Sequence, residues 1–275
     1  MPLVSVAAVT TVSAGDATLK VFDQGTGPPV LLIHGVGSTG ELWASDVEPL
    51  TDRFRIVTYN RRGYAGSAES PRDWSAHGAD AAGLVEALDL GPCAVVGYSG
   101  GAIAALWLAL NRPELVERVV LVDPVVHVTK SVTPRFAATF ARYRLVRRLR
   151  GARAALPIWF GYVTSRSDGS GSVWADPKVP QARRDLLLGA AEGVAADFDS
   201  GDGGPEVPAE ALAGIDKPVF VVEASLSVAF IRKAIGRLTR LMPQARVLSV
   251  EGAGHILAYD RPDEFRAALV EALTT

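Results

Sequence analysis

Six short, mostly apolar runs recur along the chain with helical patterns between them, and no other feature limits the fold so narrowly. They are Val30–Ile33, Arg55–Tyr59, Cys93–Gly97, Val119–Val122, Val219–Val222 and Val247–Val250. Runs of this length and composition suit strands covered on both faces. The stretches Gly40–Leu50, Ala79–Leu88, Gly101–Leu110, Ala229–Leu241 and Pro262–Leu273 carry helical patterns. Strand, helix, strand at this spacing predicts an α/β fold: a mostly parallel central sheet with helices on both faces. Two earlier segments, Val4–Val12 and Ala17–Phe22, read as strands joined at the turn Ala14-Gly15-Asp16.

The segment from 125 to 210 breaks the alternation. It is mostly helical in pattern, with Gly/Ser/Asp-rich breaks at Ser165–Ser172 and Asp199–Pro205. We read 1–124 and 211–275 as a core domain and 125–210 as a helical lid inserted into it. The insertion's charge is segregated: nine basic residues and no acid from Lys130 to Arg166, then nine acids and three bases from Ser167 to Glu210. Two solvated faces that attract each other explain this. A basic rim drawing in an anionic substrate is the sharper alternative. Phe136, Phe140 and Tyr143 fall at helical spacing and read as a buried packing stripe. Trp159 and Phe160 follow Pro157 and, with Trp43 and Tyr98, read as walls of a pocket for an apolar or aromatic group. Asp197, Asp199 and Asp202 lack the later glutamate of a calcium loop and read as solvent-facing.

Composition narrows the classes further. With 48% hydrophobic and 21% charged residues over 275 positions, the chain is neither disordered nor fibrous. A formal net charge of −2 argues against a dedicated nucleic-acid partner. One cysteine, Cys93, leaves no internal disulfide and no cysteine-built metal site. No apolar stretch reaches the roughly 18 residues of a membrane helix. Met1–Gly15 has no basic residue and reads as a strand, not a signal peptide. A cytoplasmic protein, monomer or homodimer, is expected, with no cofactor, metal, membrane or nucleic-acid partner.

The chemistry centres on Gly97-Tyr98-Ser99-Gly100-Gly101, which leaves one apolar run and opens a helical stretch. A serine on such a turn is held in a strained conformation with its hydroxyl in a cleft. The helix N-terminus favours developing negative charge there. His34-Gly35-Val36-Gly37 follows the run Val30–Ile33, and Gly252-Ala253-Gly254-His255 follows the last run and precedes Arg261-Pro262. With these motifs the chain resembles the α/β-hydrolase superfamily, over roughly 20–124 and 206–273. The resemblance implies an α/β-hydrolase fold with Ser99 as nucleophile and His255 as general base. It also implies an oxyanion hole built from the amides of Val36 and Gly100. His34 then serves to orient its turn, and His77, in a polar stretch, reads as exposed. Asn60-Arg61-Arg62-Gly63-Tyr64-Ala65-Gly66-Ser67 departs from the family's D-x-R-G-x-G-x-S at Asn60, in a loop that is mostly structural.

The larger departure is the third catalytic position. The family usually places an acid where this chain has Ser227 or Val228. Asp123, at the end of the run Val119–Val122, is the first substitute; Glu223 and the absence of any orienting carboxylate are the others. Three classes of function follow. The first is a serine hydrolase of an ester, lactone or thioester, acting on a small molecule with an acyl group. The second is a biosynthetic lyase, cyclase or acyltransferase on the same scaffold, motivated by the vacant acid position. The third is a non-catalytic ligand-binding protein.

Overall fold

The computed structural model describes residues 9–67, 73–126, 130–200 and 208–275. Among these described residues, eight strands form one sheet: β1 Val9–Ala14, β2 Ala17–Gln24, β3 Pro29–Ile33, β4 Arg55–Tyr59, β5 Cys93–Tyr98, β6 Val116–Val122, β7 Val219–Ala224 and β8 Arg246–Val250. Their spatial order is β1-β2-β4-β3-β5-β6-β7-β8. The β1–β2 and β2–β4 pairs are antiparallel and all the other pairs are parallel. The expected hairpin is present, with Ala14 opposite Ala17. The part of the expected first strand at positions 4–8 lies outside the described residues.

Alternation along the central strands decides which face each side chain joins. Leu31, Ile33, Val95, Val119 and Leu121 pack into one core with α2 Ser75–Ala87, α3 Gly101–Asn111 and α9 Ala229–Leu241. Val30, Leu32, Val96, Val120 and Val122 pack into the other with α1 Gly40–Val47 and α11 Pro262–Thr274. The α1 helix ends before the expected Leu50 because Pro49 begins a tighter 3₁₀ turn, Glu48–Leu50. Its start is capped by Thr39, whose hydroxyl accepts from the Leu42 amide.

Between β6 and β7 lie α4 Pro134–Arg150, α5 Ala152–Val163, α6 Gln181–Gly189, α7 Ala191–Asp199 and the short α8 Ala209–Ala213, with α10 Leu257–Asp260 following β8. Among the described residues, three arginine–carboxylate pairs join these inserted helices and their loops to the sheet domain. Arg183 of α6 binds Asp46 of α1 through two bonds of 2.7 Å. Arg166 binds Asp260 of α10. The third pair is fully buried: Arg61, after β4, holds Asp197 of α7 at 2.6 Å and 3.2 Å, and the Tyr64 hydroxyl donates to the same carboxylate at 2.6 Å.

Two sequence expectations are corrected here. Asp197 does not face solvent; it is the last-turn residue of α7 that points inward, while Asp199 takes the outward direction and pairs with Arg147 at 2.5 Å. Asp202 lies outside the described residues. His77 is not exposed, because α2 begins at Ser75, earlier than expected, and its first turn packs His77 against Arg61 at 2.9 Å. Burial, helped by the charge of Arg61, holds the His77 imidazole below its ordinary range, so its Nε2 accepts from the guanidinium. Burial alone would raise the Asp197 carboxyl. The charge of Arg61 and its two hydrogen bonds to the carboxylate outweigh it and hold the group well below the usual carboxylate range.

Removing one partner of a buried ion pair strands the other without water. Asp197→Ala is therefore expected to lower stability by about 3–5 kcal/mol in denaturant unfolding. The lowered carboxyl pKa sets the sign of the acid response. The contribution of Asp197 is complete above the unfolded-state value of about 4 and fades as the pH falls below it toward the folded value. Wild type should thus lose more stability between pH 5 and pH 3 than Asp197→Asn; equal losses would remove the pair from the acid response.

Candidate active site

The carboxyl ends of parallel strands are where side chains from distant parts of a chain converge. Ser99 stands at the end of β5, where the chain turns sharply into α3. Its backbone is left-handed, with φ of +52°, and its amide donates to the Val122 carbonyl at 2.9 Å. The glycines of the motif are required by close approach. A Cβ on Gly97 would lie 2.7 Å from Ala102 Cα, and one on Gly101 would lie 2.3 Å from the Ile33 carbonyl oxygen. The turn in turn carries Ser99 to the floor of a cavity, with 7% of its surface exposed.

His255 reaches the same point from the turn after β8. Its Nε2 lies 3.1 Å from Ser99 Oγ, and its Nδ1 lies 2.5 Å from Asp123 Oδ2. A carboxylate on Nδ1 requires that nitrogen to donate, which leaves Nε2 as the acceptor facing the serine. Tyr98 braces the histidine twice. Its ring stacks on the imidazole with centroids 5.1 Å apart, and its hydroxyl donates to the His255 carbonyl at 2.6 Å. Burial pushes the Tyr98 phenol well above its ordinary range, so the hydroxyl keeps its proton.

Asp123 is the acid that the structure brings to His255. It is fully buried, follows β6, and has φ of +42°, a second strained residue beside Ser99. Besides His255, its carboxylate accepts from the Ala224 amide at 3.1 Å and the Ser227 hydroxyl at 2.5 Å. Glu223 makes no such contact: it is half-buried within β7, opposite Ser249. Ser227, at the place where the family's acid is expected, is the polar residue that sequence reasoning treated only as a gap. Its signal was the hydroxyl itself, since a serine there can donate to a neighbouring carboxylate.

Val36 and Gly100 lie against each other on the cavity wall, and Gly100 follows Ser99 in the chain. The position of a Cβ on Gly100 lies 3.0 Å from Val36 Cγ2 and 3.7 Å from the Val36 amide nitrogen. His34 is buried; its Nδ1 lies 2.8 Å from the Gly35 carbonyl, and its Nε2 accepts from the Arg61 amide at 3.0 Å, so it ties two turns together. Asn60 is structural too, accepting from the Gly40 amide at 2.8 Å and donating to the Ala65 carbonyl at 2.6 Å.

The cavity above Ser99 has a volume of about 470 Å³. Trp43, Tyr98, Trp159 and Phe160 all border it. Phe136 and Phe140 do as well, which corrects the reading of their stripe as packing alone; of the three, Tyr143 is the one fully buried. No group of three or more histidine, cysteine or acidic side chains able to hold a metal ion occurs among the described residues. Likewise, none of their helices is long and apolar enough to cross a membrane.

This sheet order, with a serine on the sharp turn after its central strand, is the architecture of an α/β-hydrolase enzyme. The model of the alpha/beta hydrolase family matches residues 30–268, and the chain belongs to that family. It is 26% identical to a 2-(acetamidomethylene)succinate hydrolase of Mesorhizobium japonicum, over 92% of this chain and 90% of that protein. Identity to an (E)-2-((N-methylformamido)methylene)succinate hydrolase of Acinetobacter baylyi is 23%, over 95% and 96% of the two chains. The crystal structure of the enol-lactonase from Burkholderia xenovorans superposes with a TM-score of 0.79 at 21% identity, covering 97% of this chain and 100% of that one.

Cys93, the chain's single cysteine, is buried at the start of β5. Burial pushes its thiol up to about 12. Thiol-directed alkylation of the folded protein is expected to leave Cys93 unmodified, by mass spectrometry, until denaturant is added.

Proposed function

We propose that this protein is a serine hydrolase that cleaves an ester, lactone or thioester through an acyl-enzyme on Ser99. The observation that carries the reading is the unbroken chain from Ser99 Oγ to His255 at 3.1 Å and from His255 to Asp123 at 2.5 Å. His255 takes the serine proton as Oγ attacks the acyl carbon and then gives it to the leaving group. A water molecule, deprotonated by the same imidazole, then releases the acid and restores Ser99. Asp123 holds the imidazole in the accepting tautomer and stabilises the imidazolium formed in each half-reaction. The amides of Val36 and Gly100 donate to the oxyanion, and each such donor is typically worth about 3–4 kcal/mol.

The inserted helices of 125–210 act as the lid of this reading, resting on the core 1–124 and 211–275. Their Trp159 and Phe160 face Trp43 and Tyr98 of the core around the substrate's apolar parts. Relatives named as hydrolases and an enol-lactonase support a hydrolytic direction. A lyase, cyclase or transferase was motivated by the vacancy at Ser227, and a carboxylate bonded to His255 from Asp123 removes that motive.

A fluorophosphonate probe should label wild type and leave Ser99→Ala unlabelled, with p-nitrophenyl ester hydrolysis lost in the same variant. Labelling without any ester turnover would favour the lyase or transferase reading. Asp123→Asn is expected to cut kcat by about 10⁴. Ser227→Ala, which removes one donor from that carboxylate, is expected to cost about tenfold. Wild-type turnover by Asp123→Asn would exclude Asp123 from the mechanism.

A further inference from the structure

We infer that the acyl half of the substrate is an uncharged group bearing an aromatic ring, an inference that rests on the hydrolase reading above and narrows it. The cavity wall holds three groups of mutually contacting rings, the smallest being the pair Phe160–Trp174, with centroids 5.2 Å apart. One comprises Tyr98, Trp43 and Phe265, with centroids 5.2 Å apart for Trp43–Tyr98 and 6.1 Å for Trp43–Phe265. It begins at the ring stacked on His255, the group that hands its proton to the departing oxygen or sulfur. This side therefore faces the leaving group.

Of the two groups left for the acyl half, the five-ring one offers the larger surface. Phe136 and Phe140 of α4, Trp159 of α5, Phe198 of α7 and Phe230 of α9 form a connected cluster around the cavity. Phe136 lies 4.8 Å from Phe230 and 6.0 Å from Trp159, and Phe198 lies 5.1 Å from Phe140 and 5.0 Å from Trp159. Several of these contacts are edge-to-face, the arrangement in which one more ring gains a specific contact beyond area burial. Phe136, Phe140 and Phe198 are only half-buried, so each still has surface to offer a ligand.

Charge excludes the alternative of an anionic acyl group. Besides His255, the charged side chains bordering the cavity are Asp46, Arg144, Arg183 and Asp197. Arg183 is held by Asp46 through two bonds, and Asp197 is held by Arg61 and Tyr64. Arg144 sits one turn beyond Phe140 on α4 and also borders the outer hollow of Arg147, Arg148 and Asp199, so it belongs to the mouth. Apart from Arg144 at the mouth, the described residues set no unpaired cation against the ring cluster, and burying an unpaired carboxylate deep in it is strongly unfavourable.

The test uses p-nitrophenyl esters, which keep the leaving group constant: acetate, 3-cyclohexylpropanoate, 3-phenylpropanoate and the succinate half-ester. The expected kcat/KM of the phenylpropanoate exceeds that of the acetate by about 100-fold from apolar burial. It exceeds the cyclohexyl analogue by about three- to tenfold from ring contacts. The half-ester falls below the acetate. Phe140→Leu and Phe198→Leu, which keep the wall apolar, should bring the phenyl-to-cyclohexyl ratio close to one. Faster turnover of the half-ester than of the phenylpropanoate overturns the inference, and so does a ring preference that neither variant moves. Calorimetric titration of the same esters into Ser99→Ala ranks the pocket without turnover. The same order there upholds the inference even if fluorophosphonate fails to label wild type, which would sink only the hydrolase reading; an inverted order overturns the inference alone.

Discussion

The Asp123 carboxylate is the point on which this architecture closes. It is fully buried, and among the described residues its three donors come from β7, from the loop after β7 and from the turn after β8. A buried anion needs every one of its acceptor sites served, because desolvation costs more than any single bond returns. Meeting that need draws three strand ends together. The same bonds set the height and tautomer of His255 above Ser99. Strained backbone at Ser99 and Asp123 is the local cost, held in place by a rigid sheet on both sides.

A second buried charge does for the inserted helices what Asp123 does for the strand ends. Arg61 is fully buried after β4, and its carboxylate partner Asp197 comes from α7, 136 residues later. Arg61 also donates to the His34 carbonyl at 3.1 Å, in the turn that leads to Val36. The roof of the cavity and one edge of its floor are therefore anchored to the same guanidinium. Planar, bidentate geometry makes arginine suited to that task where lysine would serve only as a point charge. The two outer pairs, Arg183–Asp46 and Arg166–Asp260, keep some solvent exposure on their arginines and fix the register of the inserted segment on α1 and α10.

Local patterns were legible where the physics is local. Cys93–Tyr98, Gly101–Asn111 and Ala229–Leu241 lie within a residue of their expected limits, because side-chain period and a tight glycine turn are properties of neighbouring residues. His77 and Asp197 were misread for the complementary reason. Each looks like a surface residue in its own window, and only a guanidinium distant in sequence makes its burial affordable. Phe136 and Phe140 show the same limit, since helical spacing marks an apolar face and is silent on whether that face meets protein or empty space.

The order of strands and helices, the sharp serine turn and the histidine after the last strand were all written in contiguous residues, where backbone sterics and period leave few alternatives. Which acid completes the site was not. Asp123 stood first, but Glu223 and the absence of any orienting carboxylate stayed open until parallel pairing of β6, β7 and β8 laid three loop starts side by side. Register between strands separated by some hundred residues is a property of the assembled sheet, and it alone determined that the position-227 hydroxyl donates to the carboxylate instead of replacing it.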